Sequence, residues 1–293
     1  MKNTTHGAED SMLTSYFKSS VKSVLLSGAL LAVSFASSAY DNAKNIHDTW
    51  NNLLNKNVVA INNNHSTEVD YAGMQAQHHE LKTYLDLLSS VTVSDFDRWE
   101  KPKQLAFLIN AYNAWTVELI LTKYPKLESI KDLGSFFSSP WSKSFISLLG
   151  EKRSLNEIEH DLIRGAVDAQ GNAKYNDPRI HFAVNCASIG CPALRAEAYT
   201  AVDLEEQLQQ QTVRFLSDNT RNIAQENTVK LSSIFKWYQD DFEKGYKGAY
   251  SLEAFILLYS DALKLTLEQK KSLKKDNMNI KFLDYNWDLN AHH

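Results

Sequence analysis

The stretch from Leu105 to Ile120 carries Leu105, Phe107, Leu108, Ile109, Tyr112, Trp115, Val117, Leu119 and Ile120, which leaves almost no polar face. Pro102 just ahead of it suits the first turn of a helix, where a missing N–H costs nothing. Pro125 cannot continue a helix. The pattern therefore predicts a helix over residues 103–123. A helix that is apolar all round belongs inside a protein, so the remaining chain has to wrap around it. The 293 residues are 43% hydrophobic, enough to do so, and only 10 Gly and 5 Pro exclude collagen-like and low-complexity classes.

The flanking pattern supplies the wrapping. Helical spacing appears over 41–57 (Ile46, Trp50, Leu53, Leu54) and over 76–89 (Leu81, Tyr84, Leu85, Leu88), with Ser94 as an N-cap for a short helix after it. The polar stretch 58–73 reads as a loop or short extended piece, and 127–150 as irregular. Ser154-Leu155-Asn156-Glu157 has the form of a capping box and opens a helix to about 167. Ile180, Phe182 and Val184 alternate with His181, Ala183 and Asn185, which predicts a strand. Asp203 is placed to cap a helix to about 217. Strands are expected at 229–235 and 280–285, and helices at 237–242 and 251–264. The sum is α+β: a mainly helical single domain with a small sheet, expected to be antiparallel.

Residues 1–39 read as a secretory signal peptide. Lys18 and Lys22 precede the apolar run Val24–Val33, and Ser37-Ser38-Ala39 supplies small residues for cleavage. The run is short of the roughly 20 residues that span a bilayer. Met1 or Met12 could serve as the start. The expectation is a periplasmic or secreted domain at 40–293, with no stable membrane insertion after signal removal. The net charge of −4 and the absence of a polybasic block argue against nucleic acid as a partner. A small-molecule or peptide ligand is expected instead, with no cofactor and no metal.

Chemistry-bearing residues crowd between Asp177 and Pro192. Both cysteines, Cys186 and Cys191, lie there beside His181 and Asn185. On a strand His181 and Asn185 share a face. A thiol nucleophile needs a base and donors for an oxyanion, which gives Cys186 or Cys191 as nucleophile and His181 as base, with His160 as alternative base and Glu159 to orient a histidine. Asn185, Asn110, Arg195 and Arg164 are the candidates for positioning substrate. Each has a plainer reading. His181 can be a satisfied structural histidine, Asn110 and Asn113 can tie loops to the buried helix, and Glu159, His160 and Arg164 can be surface ion pairs. The aromatic groups Trp237-Tyr238 and Tyr285-Asn286-Trp287 read as core packing. In an oxidising compartment the two cysteines can also bridge, leaving no resting thiol, and zinc lacks an evident fourth ligand.

Taken together and in order, Phe107–Ala114, Ile158-Glu159-His160 with Arg164, Asp177–Ala183, Asn185-Cys186 through Cys191-Pro192 with Arg195, and Trp237-Tyr238 with Asp241-Phe242 resemble the domain of unknown function 547 family. The likeness is most recognisable over 95–245. It implies membership and no settled reaction. Two functions remain open at this point: a thiol-dependent hydrolase or acyl transferase, or a non-catalytic binding or scaffold domain with a Cys186–Cys191 disulfide.

Overall fold

The computed structural model describes residues 45–135 and 138–293. The segment 1–39, read from sequence as a signal peptide, lies outside the described residues, as does the start of the helix expected from 41. The chain opens with α1 (Asp48–Asn57), the hairpin β1 (Val58–Ile61) and β2 (Ser66–Val69), then α2 (Tyr71–Ala76), α3 (His78–Ser90) and α4 (Val93–Asp97). Three consecutive asparagines, Asn62–Asn64, all with positive φ, make the hairpin turn, so the stretch read as a loop or short extended piece holds two short strands and the turn between them. Thr92 rather than Ser94 caps α4, accepting from the Asp95 N–H.

The buried helix is α5 (Lys101–Leu121), and every residue from Gln104 to Val117 is buried. Burial of polar groups at that depth requires partners, and the amides of Gln104, Asn110 and Asn113 all have them. Gln104 donates to Phe96 C=O and accepts from the Tyr175 hydroxyl. Asn110 donates to Tyr199 C=O and accepts from Tyr199 N–H, at 2.8 and 3.0 Å. Asn113 does the same one turn on: it donates to Ala183 C=O at 3.0 Å and accepts from Asn185 N–H at 2.8 Å. Each amide thus pairs with loop backbone as a strand neighbour would.

Past α5, β3 (Ile146–Leu148) and β4 (Glu151–Arg153) form a second antiparallel hairpin. The Ser154 hydroxyl accepts from Glu157 N–H, and the Glu157 carboxylate accepts from Ser154 N–H, so the capping box is present. The segment it opens widens into a π-helix at Glu157–Arg164. The expected strand at 180–184 is instead a 3-10 turn, Pro178–Phe182. Asp177 accepts the Arg179 N–H, and Pro178 has the φ of a first helical turn, which starts a turn in place of a strand. The alternation misleads because Arg179, Ile180, His181 and Phe182 are all buried, so no side of the segment faces water. Arg179 is held between Asp177 and Glu205.

The C-terminal half holds α6 (Leu204–Leu216), β5 (Ile223–Gln225), β6 (Thr228–Leu231), α7 (Ser233–Trp237), α8 (Gln239–Phe242), α9 (Leu252–Leu258), α10 (Leu267–Leu273) and β7 (Asn279–Phe282). β5 pairs antiparallel with β6, but β7 joins β6 in parallel, so the third sheet is mixed. Among the described residues the fold is a single α+β domain, mainly helical, with three small sheets. Two apolar cores fill it. One surrounds α5. The other is rich in phenylalanine: Phe182, Phe215, Phe235, Phe242 and Phe255. The 3-10 turn lies across their junction, with Ile180 in the first core and Phe182 in the second.

After β7 the chain returns as a strap. Gly190 N–H donates to Asn286 C=O, Ile189 N–H to Asp288 C=O, Leu289 N–H to Glu128 C=O and His292 N–H to Val69 C=O. Asn113→Ala should strand the Ala183 carbonyl and the Asn185 amide in the core, costing at least about 2 kcal/mol. Urea unfolding checks this; a loss within experimental error would mean that the clamp carries no weight.

Candidate functional site: an aromatic cleft walled by a disulfide

Where the 3-10 turn, the π-helix, α7 and the strap converge, they enclose a cleft of about 150 Å³. Glu159, His160, His181, Cys186 and Cys191 all line it, so the five residues read as catalytic from sequence share one wall system. Tyr112, Trp141, Trp237, Tyr238, Tyr285 and Trp287 supply most of the rest.

The two sulfurs are bonded to each other as a disulfide, with a Cα–Cα distance of 6.1 Å. A resting thiol nucleophile at Cys186 or Cys191 is therefore not available in this state, and neither is a thiolate for zinc. Among the described residues, no three His, Cys, Asp or Glu side chains are grouped to hold a metal. Around the bridge, Cys191 Sγ accepts from the backbone N–H of Cys186 at 2.9 Å and of Ser188 at 3.5 Å. The Ser188 and Tyr285 hydroxyls lie within 3.3 Å of both sulfurs.

His181 donates from Nε2 to Asp241 Oδ2 at 2.8 Å. The same oxygen accepts from Arg164 Nε at 2.6 Å, and Asp241 Oδ1 accepts from Lys244 at 2.7 Å. Burial alone would raise the Asp241 pKa; the hydrogen bonds from His181, Arg164 and Lys244 outweigh it and hold the carboxyl far below the usual range. Burial lowers the His181 pKa against the pull of Asp241 and Glu159, so the ring is neutral near pH 7. With its proton on Nε2, Nδ1 is a bare acceptor, buried and without a partner among the described residues. Tyr238 stacks on the ring at 4.0 Å between centroids, and the Arg164 guanidinium sits over the Tyr238 ring.

Arginine can only donate, so the 2.6 Å contact of Arg164 Nη1 with His160 Nδ1 places the His160 ring proton on Nε2. His160 and Arg164 do pair, as their spacing suggests, but within the cleft wall. Glu159 is buried and accepts from the hydroxyls of Tyr238, at 2.7 Å, and Tyr112. Burial first, then Glu159, pushes both phenols far above the usual tyrosine range.

The substrate-positioning residues fare differently. Asn110 spends both ends of its amide on Tyr199, and Asn185 spends its own on Pro192 C=O and Ala187 N–H. Arg195 meets Gln210 and Glu197. None of the three lines the cleft, and Arg164 acts through Asp241, His160 and Tyr238 from just behind it. Asn110 holds the Tyr199 backbone against α5, and Asn185 holds backbone within its own loop.

Sequence reasoning missed the aromatic side of the site. Trp237 is 46% exposed, which core packing does not allow. Trp237, Tyr285 and Trp287 form one cluster, with ring centroids 4.5–5.7 Å apart, extended by Trp141 against Trp287. The available signal was Trp287, a large ring beyond the strand expected at 280–285, in a tail with neither helical nor strand period.

These features define a class: an α+β domain with a ligand-sized aromatic cleft, a buried histidine–aspartate pair and a disulfide in the wall. Residues 96–216 match the family model described as protein of unknown function, DUF547, which supports assigning that stretch to the family. The matched stretch carries α5, the π-helix, the 3-10 turn, the disulfide loop and α6. It stops short of Trp237–Phe242 and of the strap, so the wider likeness to residue 245 is not covered. No curated protein and no solved structure matches the chain.

The titrations have a definite sign. Asp241, depressed in the fold, stabilises above its unfolded pKa near 3.9, and that contribution is lost as pH falls below about 4. His181 refuses in the fold a proton that the unfolded chain accepts, so it weakens the fold as pH falls below about 6.5. Unfolding free energy should therefore decline in two stages on acidification. Asp241→Asn should cost on the order of 2–3 kcal/mol at pH 7 and shrink the loss below pH 4. Urea unfolding at pH 7, 5 and 3.5 checks this, and a variant whose acid loss equals that of the parent contradicts it.

Proposed function

We propose that this DUF547 chain is an exported binding domain that receives a small organic ligand in the aromatic cleft, with the Cys186–Cys191 bridge as part of the wall. The observation that carries the reading is the cleft lining itself. Among the described residues, rings surround it, Glu159 is its one formally charged side chain, and no Lys or Arg lines it. Ring faces and a carboxylate favour a cation desolvated between them, so a primary, quaternary or guanidinium-type cation is the ligand class that fits. Export is supported by the bridge, which persists in oxidising compartments, and by the charged, apolar and small-residue pattern of 1–39. No helix among the described residues is long and apolar enough to cross a membrane.

A thiol-free form of the hydrolase or acyl-transferase reading is favoured by one observation, the unpartnered Nδ1 of His181. Asp241 fixes the tautomer, and a neutral imidazole with a free lone pair can take a proton from water or from a substrate hydroxyl. Turnover by this route should vanish in His181→Asn, with an acid limb below the ordinary imidazole value of about 6.5.

The test is a thermal-shift screen of organic cations, anions and neutral analogues against the chain purified without reductant. Cations near 100-fold above Kd should raise Tm by several degrees. Glu159→Gln and Trp237→Ala should abolish the rise. Preference for anions, or shifts unchanged in both variants, would overturn the reading.

A further inference from the structure

The bridge closes a loop of only six residues, from Cys186 to Cys191. Short loops give a disulfide little unfolded-state entropy to remove. The loop is also fixed without it. Asn185 bonds Pro192 C=O and Ala187 N–H, Asn113 holds Asn185 N–H, and Gln211 Nε2 holds Ala193 C=O. The strap takes Ile189 N–H and Gly190 N–H, and Arg221 reaches Ile189 C=O. Opening the S–S bond therefore leaves the loop in place.

The two sulfurs are unequal. Both line the cleft, but Cys191 is only 2% exposed, whereas Cys186 is half-buried and the more accessible of the two. Two backbone N–H groups converge on Cys191 Sγ alone. The Ser188 and Tyr285 hydroxyls can turn to it as well. A disulfide sulfur is a weak acceptor and a thiolate a strong one. The donors thus match the reduced state of Cys191 better than the oxidised state in which they are already arranged, and donors so placed lower a thiol pKa.

We propose that the Cys186–Cys191 bridge is a redox-active centre that undergoes thiol–disulfide exchange with a dithiol partner reaching Cys186 through the aromatic cleft. The partner thiolate attacks Cys186 Sγ. The S–S bond breaks, its electron pair leaves on Cys191 Sγ, and a mixed disulfide joins the partner to Cys186. The partner's second thiolate then attacks the partner sulfur of that mixed disulfide, closing the partner's own disulfide and releasing Cys186 as thiolate. Two electrons pass from the dithiol to the bridge. Of the two protons the dithiol gives up, Cys186 takes one, and the other goes to solvent while Cys191 stays ionised. The attacked sulfur is the accessible one and the leaving sulfur is the better stabilised one, the arrangement that makes exchange fast. Exchange at the bridge does not depend on which ligand the cleft binds.

The full chain, purified without reductant, is titrated under native conditions with dithiothreitol. Thiols are counted by alkylation and mass, and the fold is followed by circular dichroism. The expected result is two new thiols with the fold retained. In the reduced protein, one thiolate absorbing at 240 nm should titrate at least one unit below the ordinary thiol value of about 8.5, a tenfold gain in ionisation. Ser188→Ala and Tyr285→Phe should each raise that value. Incubated with oxidised glutathione, Cys191→Ser should form a mixed disulfide at Cys186 at least tenfold faster than Cys186→Ser forms one at Cys191. A bridge that opens only on denaturation, a fold lost on reduction, two thiols titrating near 8.5, or equal trapping in the two variants would each overturn the proposal.

Discussion

The amide of Asn113 is the contact on which the site depends. It lies at the centre of the most buried helix and pairs with the backbone on both sides of Val184, holding Ala183 and Asn185 as a strand would. His181 lies two residues before that clamp and Cys186 one residue after it. The clamped segment also carries the junction of the two cores, Ile180 on one side and Phe182 on the other. The imidazole and the bridge therefore take their separation from α5 and not from their own loop. Asn185 extends the same device into the loop by bonding Pro192 and Ala187.

Charge is handled just as economically. Three donors, Arg164, His181 and Lys244, meet the single carboxylate of Asp241 and keep it ionised, while burial keeps the histidine neutral against the pull of that carboxylate. Glu159 is enclosed by two phenols that it helps keep protonated. Among the described residues the cleft is left with one carboxylate, two imidazoles and a set of rings, with no lysine or arginine to meet an anion. The strap completes it, bringing Tyr285 and Trp287 to the cleft where Gly190 and Ile189 pair with Asn286 and Asp288. A side chain at Gly190 would strike the Tyr285 ring at 2.9 Å, so the close approach requires glycine.

What was legible in the sequence follows from how local each signal is. The buried helix, the Ser154–Glu157 capping box and the α+β class rest on patterns within a few residues of one another, and all three are present. His160 with Arg164 was visible as an i, i+4 pair. The turn at Pro178–Phe182 was misread because a segment enclosed on all sides has no hydrophobic period to interpret, although the Asp177-Pro178 start was there to be weighed. The roles of Asn110 and Asn185 depended on which backbone would cross α5, and spacing holds no record of that. The disulfide was one of several open readings because five residues of separation permit it without requiring it. The aromatic wall was missed for the same reason of distance: Trp237 and Tyr285 meet across 48 positions of chain.

Amide hydrogen exchange at Asn185 tests the central claim most directly. Its N–H lies in a segment without regular structure, yet it is bonded to Asn113 inside the core. The account predicts protection comparable to the amides in the middle of α5, approaching that of global unfolding. Exchange at the rate of an open surface loop would contradict it, and would leave the histidine and the bridge without the anchor on which their geometry rests.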